Sequence, residues 1–313
     1  MTRLPDFIIG GAPKCGTTSL HFILGQNPEI GIPDQEIHYF DADDPITHPD
    51  FLTENENGLK WFDPSQENAP NLSWYTSCFS EFQNHQLVGE DSTTYLFSAV
   101  AARRIKRLLP DVKLVFLLRN PVKRAYSQYW HLLCSGRLTC GFEKAISAHS
   151  SIILGSTYAP HLAEYFRVFG RDNVHVALFE DFLSDKQAYL DGVTAHIGAS
   201  NMDVETLKTW FNRTNYPSLP KGQQLINYLG QPIVARRYRN HMGHEAGLPQ
   251  TIRKKIHYQW FKRINPILLT AQKPPAMKSE TARYLTRHLS LRNAGLSELL
   301  GRDLSQVWPG FSE

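Results

Sequence analysis

A parallel β-sheet covered by helices on both faces, within the α/β class, is the fold that this sequence predicts, and three observations predict it. Short apolar runs suited to buried strands alternate with amphipathic stretches of helical period. The first run passes into a glycine-containing loop and then a helix, the order found in P-loop-like folds. The chain has 313 residues, 42% of them hydrophobic, which is enough to bury a sizeable core. No repeat, low-complexity tract or linker divides it, so a single domain over residues 1–313 is expected.

Phe7, Ile8 and Ile9 form the first apolar run, and Thr17 to Leu24 reads as the helix after the loop. Residues 41–84 are polar and rich in Asp, Asn, Pro and aromatics, which predicts loops and short helices inserted beside a site. "LVGEDS" (Leu87 to Ser92) reads as a strand ending in acids and hydroxyls, Ala99 to Leu109 as an amphipathic helix, and Lys113 to Arg119 as an apolar strand. Pro121 to Leu133 starts with proline at the first helical position, where its missing N–H is not needed. A helix over 158–169, a strand over Asn173 to Glu180 and a helix over 185–197 follow, and residues 200–313 read as mostly helical. Strands joined through helices imply a parallel sheet, whose ligands bind beyond the C-terminal strand ends. Gly11 to Thr18, Glu90 to Thr94, Arg119 to Ser127, and Glu180 with Asp181 all sit at such ends, placed to converge on one crevice.

Lys plus Arg exceed Asp plus Glu by only three, so no nucleic-acid partner is expected. The first strand begins within a few residues of the start, leaving no room for a signal peptide, and no apolar run is long enough to span a bilayer. The expected location is cytoplasmic. Cys15, Cys78, Cys134 and Cys140 form no Cys-x-x-Cys pair and read as unlinked thiols. Cys15, at a helix N-terminus beside a lysine, is expected to have a lowered pKa. His131, His161, His196, His241, His244 and His257 show no recurrent metal spacing. The basic runs "ARRIKR" and "VARRYRN" read as solvated helix faces. Trp61, Trp74 and Trp130 read as core, although aromatics within 41–84 could stack on a sugar.

The loop carries the chemistry. A nucleotide phosphate loop reads Gly, four residues, Gly, Lys, Ser/Thr. Gly11 and Gly16 keep that separation, but Thr17 stands where the lysine belongs, and Lys14 lies inside the loop. Free amides and the positive dipole end of the following helix would still attract an anion. Lys14 would bring its ammonium to the mouth of the loop. Farther on, Arg119 ends a strand and Ser127 lies about two turns into the next helix, a pair able to grip a second phosphate.

This combination resembles the sulfotransferases that use 3′-phosphoadenosine-5′-phosphosulfate (PAPS), most closely the heparan sulfate and bacterial branch. "GAPKCGTTSL" (Gly11 to Leu20) is similar to their 5′-phosphosulfate loop and "LLRNPVKRAYSQY" (Leu117 to Tyr129) to their 3′-phosphate motif, while "DQEIHYFD" (Asp34 to Asp41) also has a counterpart. "GEDSTTYL", "FNRTNYP" and the C-terminal "RYLTRHL" align more loosely. The resemblance implies that Lys14 neutralises charge on the leaving 3′,5′-bisphosphate, that Cys15, Gly16, Thr17, Thr18 and Ser19 hold the 5′-phosphate, and that Arg119 and Ser127 hold the 3′-phosphate. It implies Glu36 as general base toward an acceptor hydroxyl, on a glycan or a small metabolite, with His38 orienting it, and Asp41 as a substrate contact. PAPS is the implied co-substrate and no metal is implied.

Three departures stand out. Asp91 replaces a lysine common in related glycan enzymes, Phe179 stands where many relatives have a tyrosine near the adenine, and the C-terminal basic loop has no clear copy, with Lys221 as a substitute. Two other readings remain. A small-metabolite P-loop kinase is disfavoured because Thr17 replaces the kinase lysine and only Asp91 is placed to hold magnesium. A non-catalytic PAPS-binding protein is disfavoured by the retained Glu36 and His38.

Overall fold

The computed structural model describes residues 3–63, 69–208, 215–239, 255, 256 and 258–311. Among these residues the strands are β1 (Phe7–Gly11), β2 (Ile30–Gly31), β3 (Thr53–Asn55), β4 (Gly58–Lys60), β5 (Leu87–Asp91), β6 (Lys113–Leu118), β7 (Val174–Leu178), β8 (Tyr216–Pro217) and β9 (Leu269–Ala271). The principal sheet runs β2–β5–β1–β6–β7, and every pairing in it is parallel. All five residues of β1 and the last five of β6 are buried, as strands covered on both faces must be. Each buried Ile, Leu, Val or Phe contributes about 1.5–3 kcal/mol to the core. Phe7 lies opposite Gly89, where any side chain would collide with its ring: a Cβ there would come within 2.3 Å of Phe7 Cζ.

The helices include α1 (Thr17–Leu24), α2 (Ala69–Ser77), α3 (Ala101–Leu108), α4 (Pro121–Cys134), α5 (Phe142–Ala148), α6 (Ser151–Leu154), α7 (Ala159–Phe169), α8 (Phe179–Ser184), α9 (Lys186–Ile197) and α10 (Pro220–Arg239); the expected ones form with small shifts at their ends, while α5, α6 and α8 were not anticipated. Pro121 does occupy the start of α4, and Asn120 caps it by accepting the amides of Val122 and Lys123. The strand expected over 173–180 stops at Leu178, because Phe179 and Glu180 already belong to α8. The edge strand β2 was not anticipated. Two residues are too short to show periodicity, and Ile30–Gly31 becomes a strand by pairing with Leu87 and Val88. The β3–β4 hairpin inside the polar segment was likewise unpredicted.

From β1 the chain builds β2 and β5 on one side, then crosses to β6 and β7 on the other. The order therefore reverses at β1, and a crevice opens at its C-terminal end. One apolar cluster joins Phe7, Ile8 and Ile9 to Trp308 and Phe311 near the other end of the chain. A second packs Tyr129, Trp130 and Leu133 of α4 against Leu285 and Leu289 of the helix Ser279–Arg292. Asn227 of α10 donates to the carbonyls of Leu133 and Leu138 at 2.8 and 2.6 Å, tying α10 to the end of α4 and the turn after it. His241, His244, His257, the first four residues of "FNRTNYP" and Asn240 of "VARRYRN" lie outside the described residues. Among the described residues no helix is long and apolar enough to cross a membrane.

Candidate active site

The loop after β1 is shaped by capture of its carbonyls. Ala12 N donates to Leu117 O at 2.8 Å, Arg124 Nε donates to Pro13 O at 3.0 Å, and Arg119 Nη1 donates to Lys14 O at 3.3 Å. Lys14 is left-handed at φ 72° and Gly16 at φ 97°. A Cβ on Gly16 would come within 2.8 Å of Phe179, so glycine is needed there for space as well as conformation. With the carbonyls engaged on the protein side, the amides of Gly16, Thr17 and Thr18 find no backbone acceptor among the described residues. They line a cavity of about 1410 Å³ together with Lys14 and Ser19. Burial first, then the charge of Arg119, lower the Lys14 pKa, while the charge of Glu36 opposes them.

Arg119 and Ser127 line the same cavity. The Arg119 guanidinium lies over the Phe179 ring, 5.0 Å from its centroid. Behind them Arg124 is fully buried and, besides Pro13 O, donates to Ser151 O at 2.9 Å and Ile152 O at 3.2 Å. Its position is possible because residue 155 is glycine; a Cβ there would meet Arg124 Nη2 at 2.4 Å. Burial lowers the Arg124 pKa, and its cost is offset by hydrogen bonds that brace the loop.

Glu36 lines the same cavity, with 41% of its side chain open. Its Oε2 accepts from Thr93 Oγ1 at 2.8 Å and Thr93 N at 3.3 Å, and lies 3.2 Å from His38 Nε2. Burial alone would raise the carboxyl pKa, but the His38 and Thr93 donors outweigh it and bring it well below the usual range. Burial would depress His38, and Glu36 more than reverses that. His38 is held left-handed at φ 53° where Ser92 Oγ accepts the amides of Ile37 and His38 at 3.2 and 2.9 Å. Through Nδ1 it meets Thr94 Oγ1 at 3.1 Å, which also meets His48 Nε2 at 3.0 Å.

Residues 5–203 match the sequence profile of the Sulfotransferase family. The chain belongs to the sulfotransferase family. It is 27% identical over 231 residues to human heparan sulfate glucosamine 3-O-sulfotransferase 6, a match covering 71% of this chain and 60% of that protein. It is also 27% identical over 216 residues to human bifunctional heparan sulfate N-deacetylase/N-sulfotransferase 2, covering 63% of this chain and 22% of that one. The chain thus spans less than two thirds of either relative. Among solved structures it resembles a sulfotransferase from Alicyclobacillus acidocaldarius with a TM-score of 0.53 and 28% identity, covering 78% of this chain and 98% of that one.

Several site expectations for this sulfotransferase need correction. Asp41 is fully buried and outside the cavity lining, so it is no substrate contact; its Oδ1 lies 3.0 Å from His48 Nε2. Cys15 is fully buried, its Sγ 3.9 Å from the Tyr158 hydroxyl, and burial pushes its pKa up to about 11, the reverse of the expected lowering. Its thiol does not line the cavity, and its amide is taken by Ala12 O, so it is not a phosphate ligand. Of "GEDSTT" only Thr93 and Thr94 reach the cavity. Glu90 is buried and accepts from Tyr75, Tyr95 and Ser92 at 2.6, 2.5 and 2.8 Å, while Asp91 pairs with His21 at 3.3 Å. Glu180 accepts the Asn120 amide at 3.0 Å and Asp181 binds Arg302, so neither enters the crevice.

Lys221 is not in the cavity lining, but Lys273, placed by the β8–β9 pairing, is. His131, set aside in the sequence, also lines it, as does Arg137, which is tied to Asp50 of the 41–84 segment at 2.6 Å. Aromatics of that segment pack on one another and on Tyr39 just before it: Phe62 lies 6.1 Å from Trp74 and Tyr75 5.2 Å from Phe79, while Tyr75 also stacks on Tyr39 at 4.3 Å. The rings that do line the cavity include Phe51, Phe97, Phe179 and Tyr216.

Proposed function

We propose that this sulfotransferase moves a sulfonate group from PAPS to an acceptor hydroxyl on a carbohydrate, with Glu36 as general base. One observation carries the reading: a single cavity holds, on one side, open loop amides with Lys14 and Arg119 and, on the other, a carboxylate fixed by three donors. The donor set fits a nucleotide with two separated anionic ends, and the cavity has room for it beside an acceptor. PAPS would supply the activated sulfonate; the new bond joins the acceptor oxygen to sulfur as the bond from sulfur to the bridging oxygen breaks.

The residues of this chain do the rest. Gly16, Thr17, Thr18 and Ser19 offer amides and hydroxyls to the 5′-phosphate, and Arg119 with Ser127 offer donors to the 3′-phosphate. Lys14 stabilises charge growing on the leaving bisphosphate, where preorganised donors have most effect. Glu36 takes the acceptor proton, and His38 and Thr93 hold it in place. The names of the relatives support a glycan acceptor. The four free cysteines support a reducing, cytoplasmic setting.

Nucleotide discrimination tests the reading. Adenosine 3′,5′-bisphosphate should bind much more tightly than adenosine 5′-phosphate, because Arg119 then gains a charge-assisted partner worth about 1.5–3 kcal/mol. Equal affinities would remove the support for PAPS over ATP.

A further inference from the structure

We propose that His38, Asp41 and His48 form a buried site for one divalent transition-metal ion, zinc by its donor set. One donor atom from each of the three lies within 4.8 Å of the others. Thr94 Oγ1 sits among them, 3.1 Å from His38 Nδ1 and 3.0 Å from His48 Nε2, and His48 Nε2 is 3.0 Å from Asp41 Oδ1. A tetrahedral zinc with bonds of about 2.0–2.1 Å has donors roughly 3.3–3.4 Å apart. The contacts of 3.0–3.1 Å lie just inside that spacing and the 4.8 Å span of the cluster outside it, so side-chain adjustment would close it on an ion, with the Thr94 hydroxyl, or a water in its place, at the fourth vertex.

Two further observations point to a cation. Asp41 is 0% accessible, and although His48 and Thr94 lie against its carboxylate, neither of its oxygens accepts a well-aligned hydrogen bond among the described residues. Buried carboxylates are rarely left so, and a metal ion would satisfy both charge and lone pairs. His38 also has the outer partner expected of a metal ligand. Its Nε2 lies 3.2 Å from the Glu36 carboxylate, which fixes the proton there and turns the Nδ1 lone pair toward the cluster. His48 is oriented by stacking on Phe51, with centroids 4.4 Å apart and planes 7° from parallel. His38, His48 and Thr94 line the cavity, which gives an ion its way in.

The spacing His38-x₂-Asp41-x₆-His48 matches no familiar metal motif, and the fold alone closes the cluster. The ion would pin the segment carrying Glu36 to the turn after β5. This inference concerns binding, and it stands or falls independently of sulfonate transfer.

Full-length protein stripped with chelator and dialysed should take up one equivalent of Co²⁺, with the intense visible bands of tetrahedral cobalt, and release it to Zn²⁺. Asp41→Asn and His48→Ala should each weaken binding by more than about 100-fold, beyond the loss typical of outer-sphere changes. His131→Ala, which alters a cavity histidine outside the cluster, should leave it intact. If the variants do not fold, X-ray absorption of the zinc-loaded unaltered protein still decides: two imidazoles with oxygen donors are expected. A sulfur neighbour, absence of uptake at micromolar metal, or binding unchanged in Asp41→Asn and His48→Ala would overturn the proposal.

Discussion

The two walls of the cavity are built on different principles. The wall facing the proposed nucleotide is mostly backbone: amides freed by a left-handed Lys14 and Gly16, with carbonyls held back by Arg119 and Arg124. The acceptor wall is mostly side chains: Glu36, His38, Thr93, Thr94 and His48, backed by the buried Asp41 and linked across the gap between residues 36–48 and the end of β5. A backbone cradle recognises phosphate geometry common to many ligands. A side-chain network fixes the position of one proton acceptor and can differ from protein to protein. Binding and turnover should therefore be separable by mutation.

The largest effect should come from the acceptor wall. Glu36→Gln keeps size and shape but cannot take a proton, so turnover should fall by about 10²–10⁴ with nucleotide affinity nearly unchanged. Steady-state rates paired with calorimetric affinities check this; joint collapse of both would merge the two walls. Lys14→Ala should lower turnover by roughly 10²–10³, the range for one lost transition-state donor, while sparing much of the affinity for the bisphosphate product. A loss confined to binding would make Lys14 part of the cradle only. Arg119→Ala should cost about 1.5–3 kcal/mol in bisphosphate affinity, roughly 10–150-fold, and erase the preference for a 3′-phosphate.

The smallest effect concerns the framework beneath the cradle. With its pKa pushed up to about 11 by burial, Cys15 stays a neutral thiol at pH 8, and its thiolate fraction grows only toward strongly alkaline pH. Mass-spectrometric mapping should find Cys15 unalkylated by iodoacetamide in the native protein and alkylated after denaturation. Rapid native labelling blocked by nucleotide would instead place the thiol at the loop mouth.

The nucleotide wall was legible because its parts are close in sequence: the glycine spacing, Lys14, and Arg119 followed by Ser127. Arg124 was not, since its function is to reach Pro13 O, 111 residues earlier in the chain, and the 151–152 carbonyls. Cys15 misled because the cost of burying a thiolate outweighs the pull of the nearby Arg124 and Arg119 charges, which the sequence alone could not weigh. Glu90 and Asp91 misled for another reason. Both lie within β5, not beyond it, and each finds a buried partner, so the strand-end rule selects Thr93 and Thr94 instead. Glu36 and His38 were visible through a resembling motif, but their link to His48 depends on how the polar segment folds back. Lys273 reaches the cavity through β9, a three-residue strand with no periodic signal.

The most direct test of the account is transfer itself. The full-length chain, incubated with ³⁵S-labelled PAPS and a panel of glycans, lipids and phenols, should yield a sulfated hydroxyl product identified by mass, with one equivalent of adenosine 3′,5′-bisphosphate released per transfer. Glu36→Gln should bind the nucleotide and form almost none of it. Tight PAPS binding with no product on any acceptor, or phosphate transfer from ATP that requires magnesium, would contradict the account.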